Sequence, residues 1–586
     1  MTTSVPARTR KGASPTRKGA PKQGRQNPAP RGRAAEHPAT RTIQSPAVWA
    51  LIGIVAIVFA RTLGQGFSPW DDSIAVYANP YLDPVTPANI AHFWTQPYQG
   101  LYIPLAYTIF SALALLGHSA AVDPATGSHF QAAPFHLANI ALHCGNVVLV
   151  YMILRTLVGR DVPTALGAFL FGLHPLQVES VAWIPELRGL SSAFFLLLAI
   201  WWYISYARAT REGRDARYRY TRYALAVLAG VLAMLCKPTA VSLPLILFAL
   251  DRWLIARPTL RCLRSSALFV VPGALIVLLT HAAQPVAASV TPPLLQRPFV
   301  AGDALAFYIV KLIAPFQLAI VYGRTPSAVL QAWWGHLTWL LPAGLAVALW
   351  VKRAAYPWLL AAGTVSFAAL LPNLGLAPFV FQYYSTVADR YAYLALLGPA
   401  LALAYLLARV PPRAAREVAM AVLACLALLC VIQQGYWDNS LTLWGHAVEV
   451  SGSDTAYVNY GLQQIDNGMR YAAMDSLRHA ILLNPKNPDA YAELGTALLA
   501  VGRAPQAAAA LRKSISLRPD NAEAHYKLGV AYAELGKQQD ALTQFGAQIR
   551  LLPTGPARAK QQQALLKLLR ALKPTPPAST GTGAHL

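Results

Sequence analysis

The adjacent carboxylates Asp71 and Asp72 stand in the stretch FSPWDDSIAVYANPYL, at residues 67–82, a few positions after the first long apolar run. The chain has 25 acidic residues against 49 lysines and arginines, so a pair of acids here is unusual. Two neighbouring carboxylates repel each other, which can raise the pKa of one of them and suit it to accept a proton. The pair therefore predicts a general base, and the alternative is a solvent-exposed acidic turn.

Other ionisable residues fall near the ends of apolar runs, where a charge is costly and so is often functional. They are His136, His143, His174, Glu179, Glu186, Arg188, Lys237, Asp389 and Arg390. Arg and Lys would hold phosphate in a cleft shared with the acidic pair, and a carboxylate would take a proton from a hydroxyl group. This chemistry predicts an anionic, phosphorylated donor and a hydroxyl-bearing acceptor.

These residues also have structural explanations, which the sequence leaves open. Glu179 and Arg188 can pair with other loop groups, and Lys237 can extend from a helix end to the membrane surface. The adjacent Asp-Arg pair can form an ion pair. His136 and His143 lie seven positions apart on one predicted helix face and are more typical of packed or hydrogen-bonded histidines than of metal ligands.

The elements that must position these residues are membrane helices. Hydrophobic residues make up 55% of the chain and charged residues 13%, roughly half the charged share of a soluble protein. Runs long enough to cross about 30 Å of hydrocarbon recur as far as about residue 435. The predicted spans begin at residue 47 and continue at 134–155, 163–176, 189–206, 223–236, 241–256, 265–283, 336–351, 357–372, 392–409 and 417–435.

Basic loops orient these spans, because Lys and Arg are enriched on the cytoplasmic side. Such loops occur at 209–222, 257–264, 351–356 and 409–416. The N-terminus is then cytoplasmic, and the acidic pair and the C-terminal third face the periplasmic or extracellular side. Parity requires the apolar stretches at 102–117 and 305–322 to be re-entrant or interfacial helices. We expect an integral protein of the cytoplasmic (inner) membrane with about eleven crossings.

The net charge of +24 does not indicate nucleic-acid binding. One block of it lies in the tail at residues 1–46, and much of the rest lies in short loops between spans. The tail is rich in Pro, Gly and Arg and lacks apolar periodicity, so it is predicted to be a disordered cytoplasmic segment. The five cysteines form no C-x-x-C pair and no metal-ligand spacing, so no metal site is predicted from them.

The last third of the chain contains a repeat with an offset of 34 residues, in segments 456–489, 490–523 and 524–557. Three sets of residues are in register: Gly461, Gly495 and Gly529; Gly468, Gly502 and Gly536; Pro485, Pro519 and Pro553. This period resembles the tetratricopeptide repeat. The predicted fold class is all-α, with a multispan membrane domain at 47–436, a linker helix and three-repeat solenoid at 437–557, and a tail at 558–586.

Six motifs make a family resemblance specific. They are WDDSIAVYANPYL, YIPLAYTIF, FHLANIALH, LFGLHPLQVESVAWIPELRGLSS, MLCKPTAVSLPL and VADRYAYLALLG. In this order, and with YWDNSLTLWGHAVEV leading into the repeats, residues 47–555 resemble the transmembrane and tetratricopeptide-repeat-containing O-mannosyltransferase-like family. That family resembles the C-type glycosyltransferases, multispan enzymes that use lipid-phosphate sugars on the non-cytoplasmic face. The Ala/Arg-rich composition favours a bacterial member.

The resemblance implies roles for individual residues. Asp71 and Asp72 match the acidic motif whose acid is the general base, or binds a metal in some relatives, so a divalent cation is left open. The further motifs imply that the donor phosphate is bound by Lys237, Arg188 and Arg390, with supporting roles for His174, Glu179, Asp389 and Tyr391. The chain departs from the family at Pro238, where an acid usually follows the Lys, and at Ile103, where an Arg is usual.

The leading hypothesis is a glycosyltransferase that moves a hexose such as mannose from a polyprenyl-phosphate donor to a hydroxyl acceptor. The acceptor would be a protein Ser or Thr, or a glycan, presented by the repeats on the non-cytoplasmic face. The alternative is a non-catalytic membrane scaffold whose repeats recruit a partner for envelope assembly. A lipid-linked polysaccharide polymerase or ligase is a third hypothesis, although such proteins usually have a large outer loop instead of an acidic pair after the first span.

Overall fold

The computed structural model describes residues 45–68, 70–123, 126–284, 291–410 and 412–552, together with 562–563 and 566–567. Nearly all of the predicted N-terminal tail, and most of the tail predicted at 558–586, therefore lie outside the described residues. Within the described ranges the chain forms helices, turns and two isolated bridges, and no β-strand. The predicted all-α fold class is confirmed.

The membrane part contains seventeen α-helices in the described ranges, interrupted by short 3₁₀ and π turns. They are α1 (Pro46–Phe59), α2 (Pro87–Thr95), α3 (Pro104–Gly117), α4 (Ala133–Val158), α5 (Asp161–Leu173), α6 (Val178–Ala182), α7 (Leu187–Arg211), α8 (Ala216–Cys236), α9 (Leu243–Leu250), α10 (Thr259–Ala267), α11 (Val270–Ala283), α12 (Arg297–Ile313), α13 (Pro326–Gln331), α14 (Leu340–Val351), α15 (Pro357–Leu370), α16 (Leu397–Leu407) and α17 (Pro412–Gly435).

Eight helical segments of the described chain are long and apolar enough to cross a membrane, or nine if the bent pair α10 and α11 is one span. They include Pro46–Gly64, Ile184–Arg211 and Asp389–Leu407, in which 3₁₀ turns extend an α-helix. Apolar helices of this length match the thickness of the hydrocarbon core of a membrane. The chain is an integral membrane protein.

The predicted count of about eleven crossings is higher than this count of eight or nine. The difference lies at α5 and α15, which have 13 and 14 residues where the sequence predicted full spans. At 1.5 Å per residue α5 is about 20 Å long, short of the hydrocarbon thickness, whereas α15 continues without a break into a 3₁₀ turn. Both helices instead run into the 3₁₀ turns Pro175–Gln177 and Leu371–Asn373, whose loops carry polar residues.

Neither of the two apolar stretches predicted to be re-entrant or interfacial is helical over its whole length. The first contains α3, a helix of 14 residues whose first residue is Pro104. The second is the end of α12, which stops at Ile313 and is followed by non-helical backbone as far as Thr325. Neither is among the eight candidate spans of the described residues.

The C-terminal part consists of a linker helix and three helix pairs. These helices are α18 (Ser440–Ser451), α19 (Asp454–Asp466), α20 (Arg470–Leu483), α21 (Pro488–Leu499), α22 (Ala504–Leu517), α23 (Ala522–Glu534) and α24 (Gln538–Leu551). A Cβ at Gly461, Gly495 or Gly529 would lie 2.8, 2.5 or 2.6 Å from the partner helix's Leu477, Leu511 or Phe545. The first set of glycines in the 34-residue period therefore permits each pair of helices to touch.

The end of α17, the connection after it and the linker helix α18 each contact other segments of the membrane part. Arg61 donates to Asp438, with its Nε 3.1 Å from Oδ1, and the Gln434 amide donates to the Val58 carbonyl at 2.9 Å. His446 Nε2 lies 3.0 Å from the Leu318 carbonyl oxygen. These contacts hold the connection to the repeats against the end of α1 and the segment after α12.

Candidate active site

Asp71 and Asp72 lie just before the π turn Ser73–Tyr77, and their side chains face different surroundings. The side chain of Asp71 is 40% exposed, whereas Asp72 is 1% exposed. Consecutive residues at the start of a helical turn point about 100° apart, which separates the two carboxylates. Asp71 is therefore the member of the pair that an acceptor from solvent can reach.

Asp72 holds the shape of this loop. Its Oδ2 accepts a hydrogen bond from the backbone N–H of Ser68 at 2.7 Å. Burial raises the pKa of Asp72 well above its usual range; the Ser68 N–H opposes this effect, and the charge of Asp71 adds to it. A buried carboxyl bonded to the backbone positions the loop that presents Asp71.

Glu186 is the centre of a cluster of cations. Lys237 Nζ lies 2.8 and 3.1 Å from its two carboxylate oxygens. Arg188 Nε lies 3.6 Å and Arg390 Nε lies 3.9 Å from Oε1 of the same carboxylate, which is 2% exposed. The three residues predicted to bind the donor phosphate thus converge on one buried carboxylate. The sequence placed Glu186 near a span end but assigned it no role, because its spacing does not show which cations surround it.

Arg188 connects this cluster to the acidic pair. Its Nη2 lies 3.9 Å from Asp71 Oδ2, while its Nε faces Glu186. A contact of this length at a partly exposed carboxylate contributes little to stability. Its significance is geometric, because one guanidinium spans the distance between the exposed acid and the cation cluster.

Arg390 is held by Glu179. Its guanidinium Nη1 donates to Glu179 Oε1, and its backbone N–H donates to Glu179 Oε2 at 3.1 Å. The guanidinium also lies over aromatic rings, 4.2 Å from the centroid of Phe381 and 5.1 Å from that of Trp183. The ion pair of Arg390 is therefore with a residue 211 positions away and not with the adjacent aspartate.

The cleft beside this cluster has about 480 Å³ of empty space, part of it open to solvent. Among the lining residues are Glu186, Ser192, Lys237, Thr239, Asn373, Arg390 and Tyr391. Hydroxyl, amide and cationic groups thus share one wall, an arrangement that can bind a polar, anionic ligand.

Two predicted supporting residues lie behind the cleft and not in it. The His174 ring is buried, with its Nδ1 accepting from the Leu176 N–H at 3.3 Å and its Nε2 3.2 Å from the Leu312 carbonyl oxygen. Asp389 Oδ1 accepts from the Tyr322 hydroxyl group at 2.7 Å. Both residues order the loops around the cleft. Tyr391 does line the cleft.

The two residues that depart from the family motifs have structural roles: Ile103 packs in an apolar cluster, and Pro238 begins a turn. Ile103 is buried in a cluster with Tyr107 and Phe110, so no cation lies at this point of the loop. Pro238 begins the 3₁₀ turn Pro238–Ser242 directly after Lys237. The carboxylate that pairs with Lys237 comes instead from Glu186, 51 residues earlier.

The structure shows the hydrogen-bond partners of His143 and how the possible metal ligands are arranged in the described ranges. His143 Nδ1 lies 2.8 Å from the Tyr393 hydroxyl oxygen and its Nε2 lies 3.0 Å from the Gly172 carbonyl oxygen, as in a packed histidine. No group of three or more His, Cys, Asp or Glu side chains in the described residues is placed to hold a metal ion.

Fold and site together define a class: a helical integral membrane protein whose loops gather acids and bases around a cleft beside a repeat solenoid. The family described as "Tetratricopeptide repeat" matches residues 477–556, which confirms the repeats. The resemblance inferred from the six motifs is also confirmed, because the curated relatives that the chain matches are protein O-mannosyl-transferases.

Three of these relatives show the extent of the likeness. Protein O-mannosyl-transferase Tmtc2 of Drosophila melanogaster is 30% identical over 205 residues, covering 33% of this chain and 20% of the relative. Protein O-mannosyl-transferase TMTC4 of Homo sapiens is 29% identical over 215 residues, covering 34% and 28%. TMTC4 of Mus musculus is 24% identical over 500 residues, covering 74% and 66%. The chain thus spans less than a third of the first two relatives.

Two solved structures are similar to parts of the chain. The crystal structure of ArnT from Cupriavidus metallidurans bound to undecaprenyl phosphate is 15% identical, covers 82% of this chain and 81% of that one, and gives a TM-score of 0.37. The crystal structure of MamA protein is 27% identical, covers 20% and 68%, and gives 0.18. At these scores neither likeness supports a conclusion about function.

Proposed function

We propose that the protein is a membrane glycosyltransferase that moves a sugar from a polyprenyl-phosphate donor to a hydroxyl acceptor on the non-cytoplasmic face. The observation that carries this proposal is the position of Arg188. Its Nη2 lies 3.9 Å from Asp71 Oδ2 and its Nε lies 3.6 Å from Glu186 Oε1. This position supports the proposal, because it brings the carboxylate that we propose as general base next to the three cations that we propose to bind the phosphate.

In the proposed reaction Asp71 takes the proton of the acceptor hydroxyl group, and the acceptor oxygen forms a bond to the anomeric carbon. The bond between that carbon and the phosphate oxygen breaks, and the lipid phosphate leaves with the electron pair. Lys237, Arg188 and Arg390 neutralise the charge that develops on the leaving phosphate. One base is enough, because direct displacement needs no covalent intermediate with the protein.

The phosphate competes with Glu186 for these cations. In the described structure Glu186 is the shared partner of Lys237, Arg188 and Arg390. A bound phosphate brings more negative charge than one carboxylate and accepts several donors at once. Glu186 thus keeps the three cations together before the donor binds, and the donor then replaces some of its contacts.

We propose that the sugar is a hexose such as mannose, because the curated relatives are named protein O-mannosyl-transferases. The proposed acceptor is a Ser or Thr hydroxyl group of a protein segment held by the repeats. The linker helix that leads into the repeats lies next to the proposed base: Trp70, the neighbour of Asp71, has its ring 4.9 Å from Trp444 of α18, and 5.7 Å from Tyr384 of the membrane part. Tetratricopeptide arrays offer a concave face that suits extended peptides.

The experiment is a transfer assay with the purified full chain, polyprenyl-phosphate mannose and a Ser/Thr peptide, with mass spectrometry of the product. Asp71→Asn should lower the rate by roughly 10²- to 10⁴-fold, the usual contribution of a general base. Full activity of a normally inserted Asp71→Asn variant would exclude this mechanism. Mass spectrometry of envelope proteins and glycans with and without the gene should show loss of one hexose species, and an unchanged glycan profile would favour the scaffold hypothesis.

A further inference from the structure

A second cleft lies between α12, the start of the candidate span Trp333–Ala354 and the end of α18. It has about 1250 Å³ of empty space, part of it open, and it shares no lining residue with the cleft around Glu186. Tyr322 stands in its wall and donates to Asp389, the neighbour of Arg390. The two clefts are therefore adjacent but separate.

Two cations face this second cleft. Lys311 Nζ donates to the Phe316 and Gln317 carbonyl oxygens, at 2.6 and 3.0 Å. Arg324 Nη2 lies 3.4 Å from Asp303 Oδ1, and Asp303 is buried. A guanidinium has five N–H donors, and the contact with Asp303 is made by Nη2 of Arg324 alone. Because Lys311 and Arg324 together carry two positive charges and Asp303 carries one negative charge, the cleft has a net positive charge and can bind an anion.

Aromatic rings fix the guanidinium in this position. The centroid of the Trp334 ring lies 4.9 Å from Arg324 Cζ, and that of Phe307 lies 5.5 Å away. Stacking of this kind orients an arginine without using its N–H donors. The donors of Arg324 thus stay available to a ligand that enters the cleft.

Besides the polar residues Gln317, Thr338 and Ser451, the rest of the lining is apolar. Val310, Leu337, Leu340 and Leu341 line the cleft and are exposed in the protein alone. Three of them belong to the start of a candidate span that also carries exposed Trp333 and Trp339. Tryptophans at a span end mark the membrane surface, so these leucines contact lipid chains there.

We propose that this second cleft binds an anionic membrane lipid, with the lipid phosphate between Lys311 and Arg324 and its chain along Leu337, Leu340 and Leu341. A phosphate next to exposed leucines at the level of interfacial tryptophans is the chemistry of an anionic phospholipid headgroup. The site is separate from the donor cleft and does not rest on the proposed sugar transfer.

Native mass spectrometry of the full chain in detergent tests this proposal, with phosphatidylglycerol as the probe and phosphatidylcholine and inorganic phosphate for comparison. The variant Lys311→Gln/Arg324→Gln should bind phosphatidylglycerol at least about tenfold more weakly than the parent, since each cation near a lipid phosphate contributes appreciably. The variant Lys311→Arg/Arg324→Lys keeps both charges and should retain most of the binding. The single variant Lys311→Gln, which loses two contacts to carbonyl groups and the approach of the ammonium to the Phe307 and Tyr322 rings, gives the test if the double variant does not fold.

Arg353→Gln is the matched control, because Arg353 lies 4.4 Å from the Trp350 ring at the other end of the same candidate span. It should bind phosphatidylglycerol as the parent does. An equal loss in this control would assign the binding to general surface charge and overturn the proposal. Equal binding of phosphatidylcholine, or binding of inorganic phosphate as tight as that of the lipid, would also overturn it.

Discussion

The ammonium group of Lys237 lies 2.8 and 3.1 Å from the two carboxylate oxygens of Glu186, at a point where the Glu186 side chain is 2% exposed and that of Lys237 16%. Two arginines approach the same carboxylate at 3.6 and 3.9 Å. This single buried carboxylate therefore reduces the repulsion among the three cations, although it does not cancel their charge. The same arrangement marks the place where a ligand with phosphate charge would be most strongly attracted.

Replacement of Glu186 by Gln should separate these two effects. The free energy of unfolding should fall by about 3 kcal/mol, because the buried Lys237 loses its counter-charge. The cluster becomes more positive, so added polyprenyl phosphate should raise the Tm of the variant more than that of the parent. Thermal unfolding with and without the lipid measures both, and Glu449→Gln, at an exposed residue of α18, is the control. A smaller lipid-induced shift in the variant would contradict the prediction.

Gly189 provides a test that changes no charge. A Cβ at this position would lie 2.2 Å from Glu186 Oε2 and 3.2 Å from Lys237 Nζ. Gly189→Ala should therefore displace Glu186 from Lys237, lower the free energy of unfolding by about 1 to 3 kcal/mol and reduce sugar transfer. Gly53→Ala is the matched control, because no atom lies within 4 Å of a Cβ at that helical glycine. Equal activity of the two variants would show that the Glu186–Lys237 pair is not needed.

The repeats and the helical membrane fold could be predicted because both leave periodic signals in the sequence. Gly461, Gly495 and Gly529 recur at 34 residues since each faces a side chain of its partner helix in the same way. Apolar runs likewise show spans directly. They do not show where a helix ends, so α5 and α15, with 13 and 14 residues, were predicted to be full crossings.

The pairing of charges within the candidate site could not be predicted in the same way. Arg390 meets Glu179 across 211 positions, and Lys237 meets Glu186 across 51, so these partners depend on how helices pack. The difference between Asp71 and Asp72 depends on burial, which two adjacent residues of the same type cannot reveal. The motifs could identify which residues gather around the cleft but not which carboxylate each cation contacts.

Asp72 should make stability depend on pH in a defined direction. Its buried side chain has a pKa well above the usual range, so the folded state keeps a proton that the unfolded state releases above about pH 4. The free energy of unfolding therefore falls as the pH rises from the ordinary carboxyl pKa to the raised one, by about 1.4 kcal/mol per unit between them. It is flat above the raised pKa.

Asp72→Asn removes this titration while its amide oxygen can still accept from the Ser68 N–H. The Tm of the variant minus that of the parent should increase with pH across the same window, measured by thermal unfolding in detergent between pH 4 and pH 8. Asp540→Asn, at an exposed position of α24, is the matched substitution. A difference for Asp72→Asn that does not change with pH would contradict the prediction.

Trp70 should couple the repeats to the acidic pair. Its ring lies 4.9 Å from Trp444 and 5.7 Å from Tyr384, and it directly precedes Asp71. Each such aromatic contact contributes roughly 0.5 to 1.5 kcal/mol, so Trp70→Ala should reduce kcat/KM for a peptide acceptor by about tenfold. Binding of the lipid donor should be unchanged, because Lys237 is not touched. Trp333→Ala, at an exposed membrane-surface tryptophan, should leave both quantities unchanged. If Trp70→Ala weakens donor binding as much as acceptor use, the ring supports the whole site and does not specifically link the repeats to Asp71.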